Sequence, residues 1–94
     1  MIGLVLVSHG SLAEGLLDAA QLINGELQQA RAIGLQETED IDGLVERVAQ
    51  ATEDVDTGEG VLIMVDLVGA SPFNASARAK LSAPERALEV VTGM

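Results

Sequence analysis

Hydrophobic and polar positions divide the chain into short apolar runs and longer amphipathic segments. The runs "IGLVLV" and "VLIMV" are apolar at every side-chain position, which is typical of central strands in a parallel sheet that is covered on both faces. The runs "RAIGL" and "ALEVV" are shorter or more mixed. The pattern therefore predicts four strands, over residues 2–7, 30–35, 60–66 and 87–92, with the first and third at the centre.

The segment after the first strand predicts a helix that begins at the capping-box pattern Ser11-Leu12-Ala13-Glu14 and ends at Asn24-Gly25. Apolar positions at helical spacing predict its buried stripe, which comprises Leu12, Leu16, Ala19, Ala20 and Ile23.

Two further helices are predicted in the remaining gaps. One begins after Asp40 as its N-cap and buries the apolar positions Ile41, Leu44, Val45, Val48 and Val55. The other follows Ser71 as N-cap, with Pro72 at the first helical position, and ends near Leu81.

This alternation of strands and helices predicts an α/β fold, specifically an open three-layer α/β/α sandwich with a parallel sheet. With right-handed crossovers the simplest strand order is 2-1-3-4. The order places the topological switch point between the first and third strands, where open α/β sheets bind their ligands. We assign residues 1–94 to one domain.

Composition narrows the functional classes. A formal net charge of −10 repels phosphate backbones and acidic lipids, which argues against nucleic acid and a membrane surface as partners. The charge either steers a basic protein partner or only confers solubility. There is no cysteine, no signal peptide pattern and no apolar run long enough for a membrane span, so we expect a cytoplasmic protein.

No metal site is predicted. One histidine and no cysteine cannot supply a zinc constellation. The acidic residues Glu37, Glu39, Asp40 and Asp42 lack the spacing of a calcium loop. We interpret them as a solvated helix start.

Candidate chemistry lies at the switch point. His9 follows the first strand and Asp66 ends the third, and neighbouring strands lie about 4.8 Å apart. A carboxylate that accepts the Nδ1 proton of the imidazole leaves Nε2 as a nucleophile or general base. The amino-terminal ends of two helices point at the same crevice and favour an anion, and Gly10 and Gly69 allow close backbone approach.

Plainer interpretations of these residues remain open on pattern alone. A histidine at a loop start is commonly a surface or hydrogen-bonding residue. Asp66 is compatible with an ordinary turn residue, and Ser71 is fully explained as an N-cap.

The segments "VLVSHGSLAEGLLDAA", "TGEGVLIMVDLVGASPFNASAR" and "EVVTGM" resemble the IIA domain of the mannose class of the bacterial sugar phosphotransferase system (PTS). The resemblance implies that His9 accepts a phosphoryl group on Nε2 from phospho-HPr and passes it to an EIIB domain. It implies that Asp66 bonds the ring of His9 and that Ser71 contacts the phosphate. Gly10, Gly69 and Ala70 are the further positions expected around the phosphate. It implies no cofactor and an indirect link to the membrane domains IIC and IID, which would select the sugar.

The chain departs from this family in two respects. Val68 and Ala70 stand where family members often have an aromatic residue and a second glycine. The family also continues past the "VVTGM" segment with a loop, more helix and an edge strand that is exchanged within a homodimer. We therefore expect a C-terminally truncated domain without that edge strand, and a dimer in the full-length form.

Three alternative functions remain open. The same domain type occurs as a regulatory receiver in transcriptional regulators, and a related phosphocarrier serves dihydroxyacetone kinase. The "GASPFN" loop favours the mannose class over the latter. Binding of a nucleotide or flavin in the crevice is disfavoured because Phe73 is the only aromatic residue available for stacking.

Overall fold

Strands and helices alternate along the chain as the sequence predicts. The computed structural model describes residues 2–36, 39–66, 71–82 and 87–92. Its elements are β1 (Gly3–His9), α1 (Leu12–Asn24), β2 (Ala30–Leu35), α2 (Ile41–Val55), β3 (Val61–Val65), α3 (Ser71–Ser82) and β4 (Leu88–Val91). The largest difference from the predicted bounds is at the end of β1, which continues through Ser8 to His9. Across these described ranges, no helix has the length and apolar character needed to cross a membrane.

The four strands form one parallel sheet in the order β2-β1-β3-β4, which confirms the predicted topology. The two all-apolar runs are the central strands β1 and β3. Their register sets Val7 beside Val65, so the chain leaves both strands at the same edge of the sheet.

The helices cover the sheet from both sides and complete the three layers. Helices α2 and α3 pack against each other and against one face of the sheet, whereas α1 packs against β1 and β2. The α2 and α3 side holds the main core, in which Val5, Val7 and Ile63 meet Leu44 and Val48 with no exposed surface. Full burial of each such side chain is worth about 1.5–3 kcal/mol. Side chains alternate between faces along a strand, and Ser8, next to Val7, contacts α1 on the opposite side.

The predicted buried stripe of α1 is wrong. Leu12, Leu16 and Ile23 are 46%, 41% and 82% exposed, whereas Ala13 is fully buried. The sheet surface beneath α1 explains the difference, because the residues of β2 that align with Leu4, Leu6 and Ser8 are small: Ala30, Ala32 and Gly34. They allow α1 to lie close to the sheet on its Ala13 side, which turns the larger apolar side chains outward.

The predictions for α2 are confirmed. The Asp40 side chain accepts a hydrogen bond from the Gly43 amide at 2.8 Å and so caps the helix. Leu44, Val48 and Val55 are fully buried, and Ile41 packs against the same cluster. The amphipathic spacing of α2 therefore identified the correct face.

Candidate functional site

His9 and Asp66 meet at the carboxyl edge of the two central strands. His9 is the last residue of β1, and Asp66 directly follows β3. The two strands are hydrogen-bonded neighbours, so the residues that leave them emerge side by side. The Nδ1 atom of His9 lies 2.8 Å from Oδ2 of Asp66. The contact expected from the sequence is present.

The same carboxylate oxygen also binds the backbone of His9. The His9 N–H group donates to Asp66 Oδ2 at 3.0 Å. An ionised carboxylate can only accept, so this contact suits a ring that is protonated at Nδ1, and a neutral ring of that tautomer has its lone pair on Nε2. The Asp66 side chain is 12% exposed and that of His9 is 49% exposed. The carboxylate is therefore shielded while the ring reaches solvent.

A tight turn at Gly10 connects this histidine to α1. Gly10 has a φ of 58°, in the left-handed region that glycine adopts without steric cost. Its N–H group donates to the carbonyl of Leu35 at the end of β2, at 3.0 Å. A Cβ atom at Gly34 would overlap the carbonyl oxygen of Gly10. The absence of a side chain at Gly34 thus lets the turn close against β2.

Ser8, and not Ser11, caps α1. Ser11 makes no side-chain hydrogen bond at the helix start, and its backbone angles (φ −97°, ψ 10°) lie outside the extended region that capping residues usually adopt. The Ser8 hydroxyl instead accepts from the Ala13 N–H group at 2.8 Å. The predicted capping box is therefore wrong. Neither the Ser8 cap nor the close packing at Gly34 was predicted from the sequence. A glycine inside a strand is a signal for close backbone approach and could have indicated the packing at Gly34.

Two helix starts contribute to the electrostatics of this edge. In α1 the first backbone hydrogen bond runs from Gly15 to the Ser11 carbonyl, so the amides of Leu12 and Glu14 have no acceptor within the helix. Helix α3 begins at Ser71, five positions after Asp66, and Ser71 is its first residue and not the preceding cap. Exposed helix amides and the helix dipole stabilise anions. Gly69 and Ala70 lie outside the described residues.

Arginines on α2 and α3 are paired with acidic side chains. Arg47 on α2 donates to both carboxylate oxygens of Glu39, at 2.7 and 2.9 Å. Arg78 on α3 donates to Asp42 at 2.9 Å. These contacts and the Asp40 cap account for Glu39, Asp40 and Asp42, whereas Glu37 lies outside the described residues. In the part of the chain that the structure describes, no group of three or more His, Cys, Asp or Glu residues is arranged to hold a metal ion.

Comparison with known proteins identifies a family and several relatives. The family model EIIA-man, described as "PTS system fructose IIA component", matches residues 3–94. The chain is 34% identical over 93 residues to the PTS system mannose-specific EIIAB component of Escherichia coli (strain K12), covering 99% of this chain. It is 32% identical over 91 residues to the PTS system sorbose-specific EIIA component of Lacticaseibacillus casei, covering 97% of this chain.

Solved structures with this fold include a subunit of the phosphotransferase system. The mannose/sorbose specific IIA subunit from Enterococcus faecalis superposes with a TM-score of 0.83 at 30% identity, covering 99% of this chain and 68% of that structure. The chain spans 28% of the length of the mannose-specific protein and 64% of the sorbose-specific one. The similarity thus covers essentially all of this chain and only part of each relative.

Proposed function

The chain belongs to the EIIA-man family, and from this we propose that it is a phosphocarrier of a bacterial sugar phosphotransferase system. The observation that carries the proposal is the His9–Asp66 pair: a half-exposed imidazole whose Nδ1 is held by a shielded carboxylate at 2.8 Å. The donor we propose is phospho-HPr and the acceptor is an EIIB domain. These are the partners that the family resemblance implies.

The proposed reaction is a phosphoryl transfer between two imidazoles. The lone pair on His9 Nε2 attacks the phosphorus of the donor's phosphohistidine; a new N–P bond forms as the donor's N–P bond breaks, and the donor's imidazole leaves. His9 keeps its Nδ1 proton, and the Asp66 carboxylate stabilises the positive charge that develops on the ring. The second step repeats this chemistry, with the acceptor's nucleophile attacking the phosphorus and His9 as the leaving group.

The phosphoryl oxygens need donors at this edge of the sheet. Amides in the first turn of α1 have no partner within the helix, and α3 begins at the same edge with Ser71. We propose that Gly10, Ser71 and the loop that contains Gly69 and Ala70 surround the phosphoryl group. His9 and Asp66 would then be the catalytic residues of a phosphotransferase. We further propose that this phosphotransferase needs no cofactor, acts in the cytoplasm and forms a homodimer. Its link to the membrane domains IIC and IID would run only through its acceptor.

The direct test is transfer to His9. Incubate the wild-type chain and His9→Ala with phosphoenolpyruvate, enzyme I and HPr, and measure intact masses. We expect one phosphoryl group on the wild type and none on His9→Ala, with an adduct that is labile in acid and stable in base. An equal adduct on both proteins, or none on the wild type, would contradict the proposal.

A further inference from the structure

Ser8 is an unusual residue for its position. It lies near the end of the apolar strand β1 with no exposed surface. A buried hydroxyl costs free energy unless its hydrogen-bonding capacity is used. An alanine would fill much of the same space without that cost, so the contacts of the hydroxyl indicate its role.

The Ser8 hydroxyl binds two backbone groups on opposite sides of the Gly10 turn. Its oxygen accepts from the Ala13 N–H group of α1 at 2.8 Å. Its proton is donated to the carbonyl of His9 at 3.2 Å. One side chain therefore joins the start of α1 to the peptide group that follows the histidine.

Both peptide groups that flank the Cα atom of His9 are consequently fixed. The peptide before it donates its N–H to Asp66 Oδ2 at 3.0 Å. The peptide after it is held at its carbonyl by Ser8 and at its amide by Leu35, at 3.0 Å. With the backbone fixed on both sides, the hydrogen bond from Nδ1 to Asp66 determines the remaining ring orientation.

We propose that Ser8 is a positioning residue for phosphoryl transfer, holding the His9 backbone so that Nε2 faces the incoming phosphorus. This inference rests on the phosphocarrier function proposed above. Transfer between two imidazoles requires the nucleophile in line with the breaking bond, and a misplacement of about 1 Å costs about 100-fold in rate. Loss of the Ser8 hydroxyl frees the His9 carbonyl and uncaps α1 together, and we expect transfer to slow by about tenfold or more.

The test compares Ser8→Ala, which removes the hydroxyl, with Ser8→Thr, which keeps it and suits a strand. Thr52→Val is the matched control, because Thr52 is only 2% exposed and its hydroxyl donates to the Ala49 carbonyl at 2.7 Å, far from His9 on the last turns of α2. Each variant is assayed for its rate of phosphorylation by phospho-HPr. The ¹⁵N NMR shifts of the His9 ring report the fraction protonated at Nδ1.

We expect Ser8→Ala to slow transfer and to reduce the Nδ1-protonated fraction, while Ser8→Thr and Thr52→Val stay near the wild type. Equal rates in Ser8→Ala and wild type, or equal losses in Ser8→Ala and Thr52→Val, would overturn the positioning role. If Ser8→Ala does not fold, Ser8→Cys replaces it, because a thiol keeps the shape and hydrogen-bonds only weakly.

The two proposals can fail separately. A wild-type chain that accepts no phosphoryl group contradicts the phosphocarrier function. In that case the ring ¹⁵N shifts still test whether Ser8 positions the His9 ring. A loss of the Nδ1-protonated form in Ser8→Ala alone supports this effect of Ser8, and an unchanged ring in Ser8→Ala overturns it.

Discussion

A single oxygen atom organises the histidine at the residue scale. Asp66 Oδ2 lies 2.8 Å from Nδ1 and accepts from the backbone N–H of His9 at 3.0 Å, so one atom holds both the ring and the strand end. Its carboxylate is largely shielded from water, and charges interact more strongly where water is excluded. The negative charge of Asp66 therefore acts on the ring at short range.

We expect Asp66→Asn to slow phosphorylation of His9 by about 100-fold, which corresponds to a barrier change of about 2.7 kcal/mol. The amide has the same size, but it lacks the charge that we propose stabilises the ring during transfer, and its NH₂ group can donate to Nδ1 and favour the wrong tautomer. The rate with phospho-HPr and the ring ¹⁵N shifts measure the two effects.

Asp42→Asn is the control for this change. It removes the same charge from an exposed carboxylate that binds Arg78 on the surface, so the rate should stay at the wild-type value. If Asp66→Asn also reacts at that rate with an unaltered ring, Asp66 is a turn residue and not a catalytic one.

Pairing of His9 with Asp66 was predictable because two neighbouring parallel strands end where these residues stand. The role of Ser8 was not. The sequence around a serine at a strand end does not indicate which helix amide the serine will bind. Ser11 also occupied the position that capping patterns favour, so the cap was predicted there. The Asp66 contact followed from topology, whereas the Ser8 contact depends on the local path of the Gly10 turn.

At the element scale, the packing of the Gly10 turn against β2 sets where α1 begins. Gly10 donates its N–H to Leu35, and its carbonyl occupies the space that a side chain at Gly34 would need. This close approach joins β1, α1 and β2 within a few residues of the histidine.

We expect Gly34→Ala to lower the free energy of unfolding by about 1–3 kcal/mol, the usual cost of forcing an added methyl into a packed site. Because the obstacle is backbone of the turn and not a flexible side chain, the turn itself must move, and the amide NMR signals of His9 and Gly10 should shift. Urea denaturation gives the stability change.

Gly15→Ala provides the comparison within the same region. Gly15 is exposed on α1 and a Cβ there meets no atom within 4 Å, so alanine should stabilise the helix by up to about 1 kcal/mol. If Gly34→Ala is as stable as the wild type with unshifted turn signals, the turn is not packed against β2 as described.

Element positions were more predictable than element faces. Strand and helix bounds follow from local sequence, and α2 has one dominant apolar stripe. In α1, Leu12 and Ala13 lie on neighbouring stripes of the helix, and hydrophobicity alone predicts that the stripe with the leucine is buried. The small side chains of β2 and the hydrogen bond from Ala13 to Ser8 instead bury the face of α1 that carries Ala13. Both are tertiary contacts, which the periodicity of a sequence cannot reveal.

At the scale of the whole molecule, topology was the most predictable property. Two all-apolar runs identified the central strands, and right-handed crossovers left one simple order, which the sheet adopts. The switch point follows from that order. This is why the contact between His9 and Asp66 could be predicted before any side-chain geometry was known.

Charge is the second property of the whole molecule that bears on function. The chain has 15 acidic and 5 basic residues, and Arg47, Arg78 and Lys80 lie beside carboxylates. The resulting field is negative and attracts a basic partner surface at long range. Solubility alone would also explain the charge, so the position of each charge relative to His9 separates the two interpretations.

We expect the negative charge of the chain to accelerate its encounter with phospho-HPr. The variants Glu14→Gln and Glu53→Gln should then differ in their rate of transfer. Both glutamates are exposed, and each variant changes the net charge equally. Glu14 lies in the first turn of α1, five residues after His9, whereas Glu53 lies near the end of α2, which precedes β3 at the opposite edge of the sheet. At about 0.01–0.02 M salt, where the screening length is about 20–30 Å, Glu14→Gln should lower the second-order rate constant of transfer by about two- to threefold, with Glu53→Gln near the wild type.

At about 1 M salt, where the screening length is about 3 Å, the wild type and both variants should converge at one slower rate. A wild-type rate that is indifferent to salt, or equal losses in both variants, would mean that the acidity serves solubility and does not guide the partner to His9.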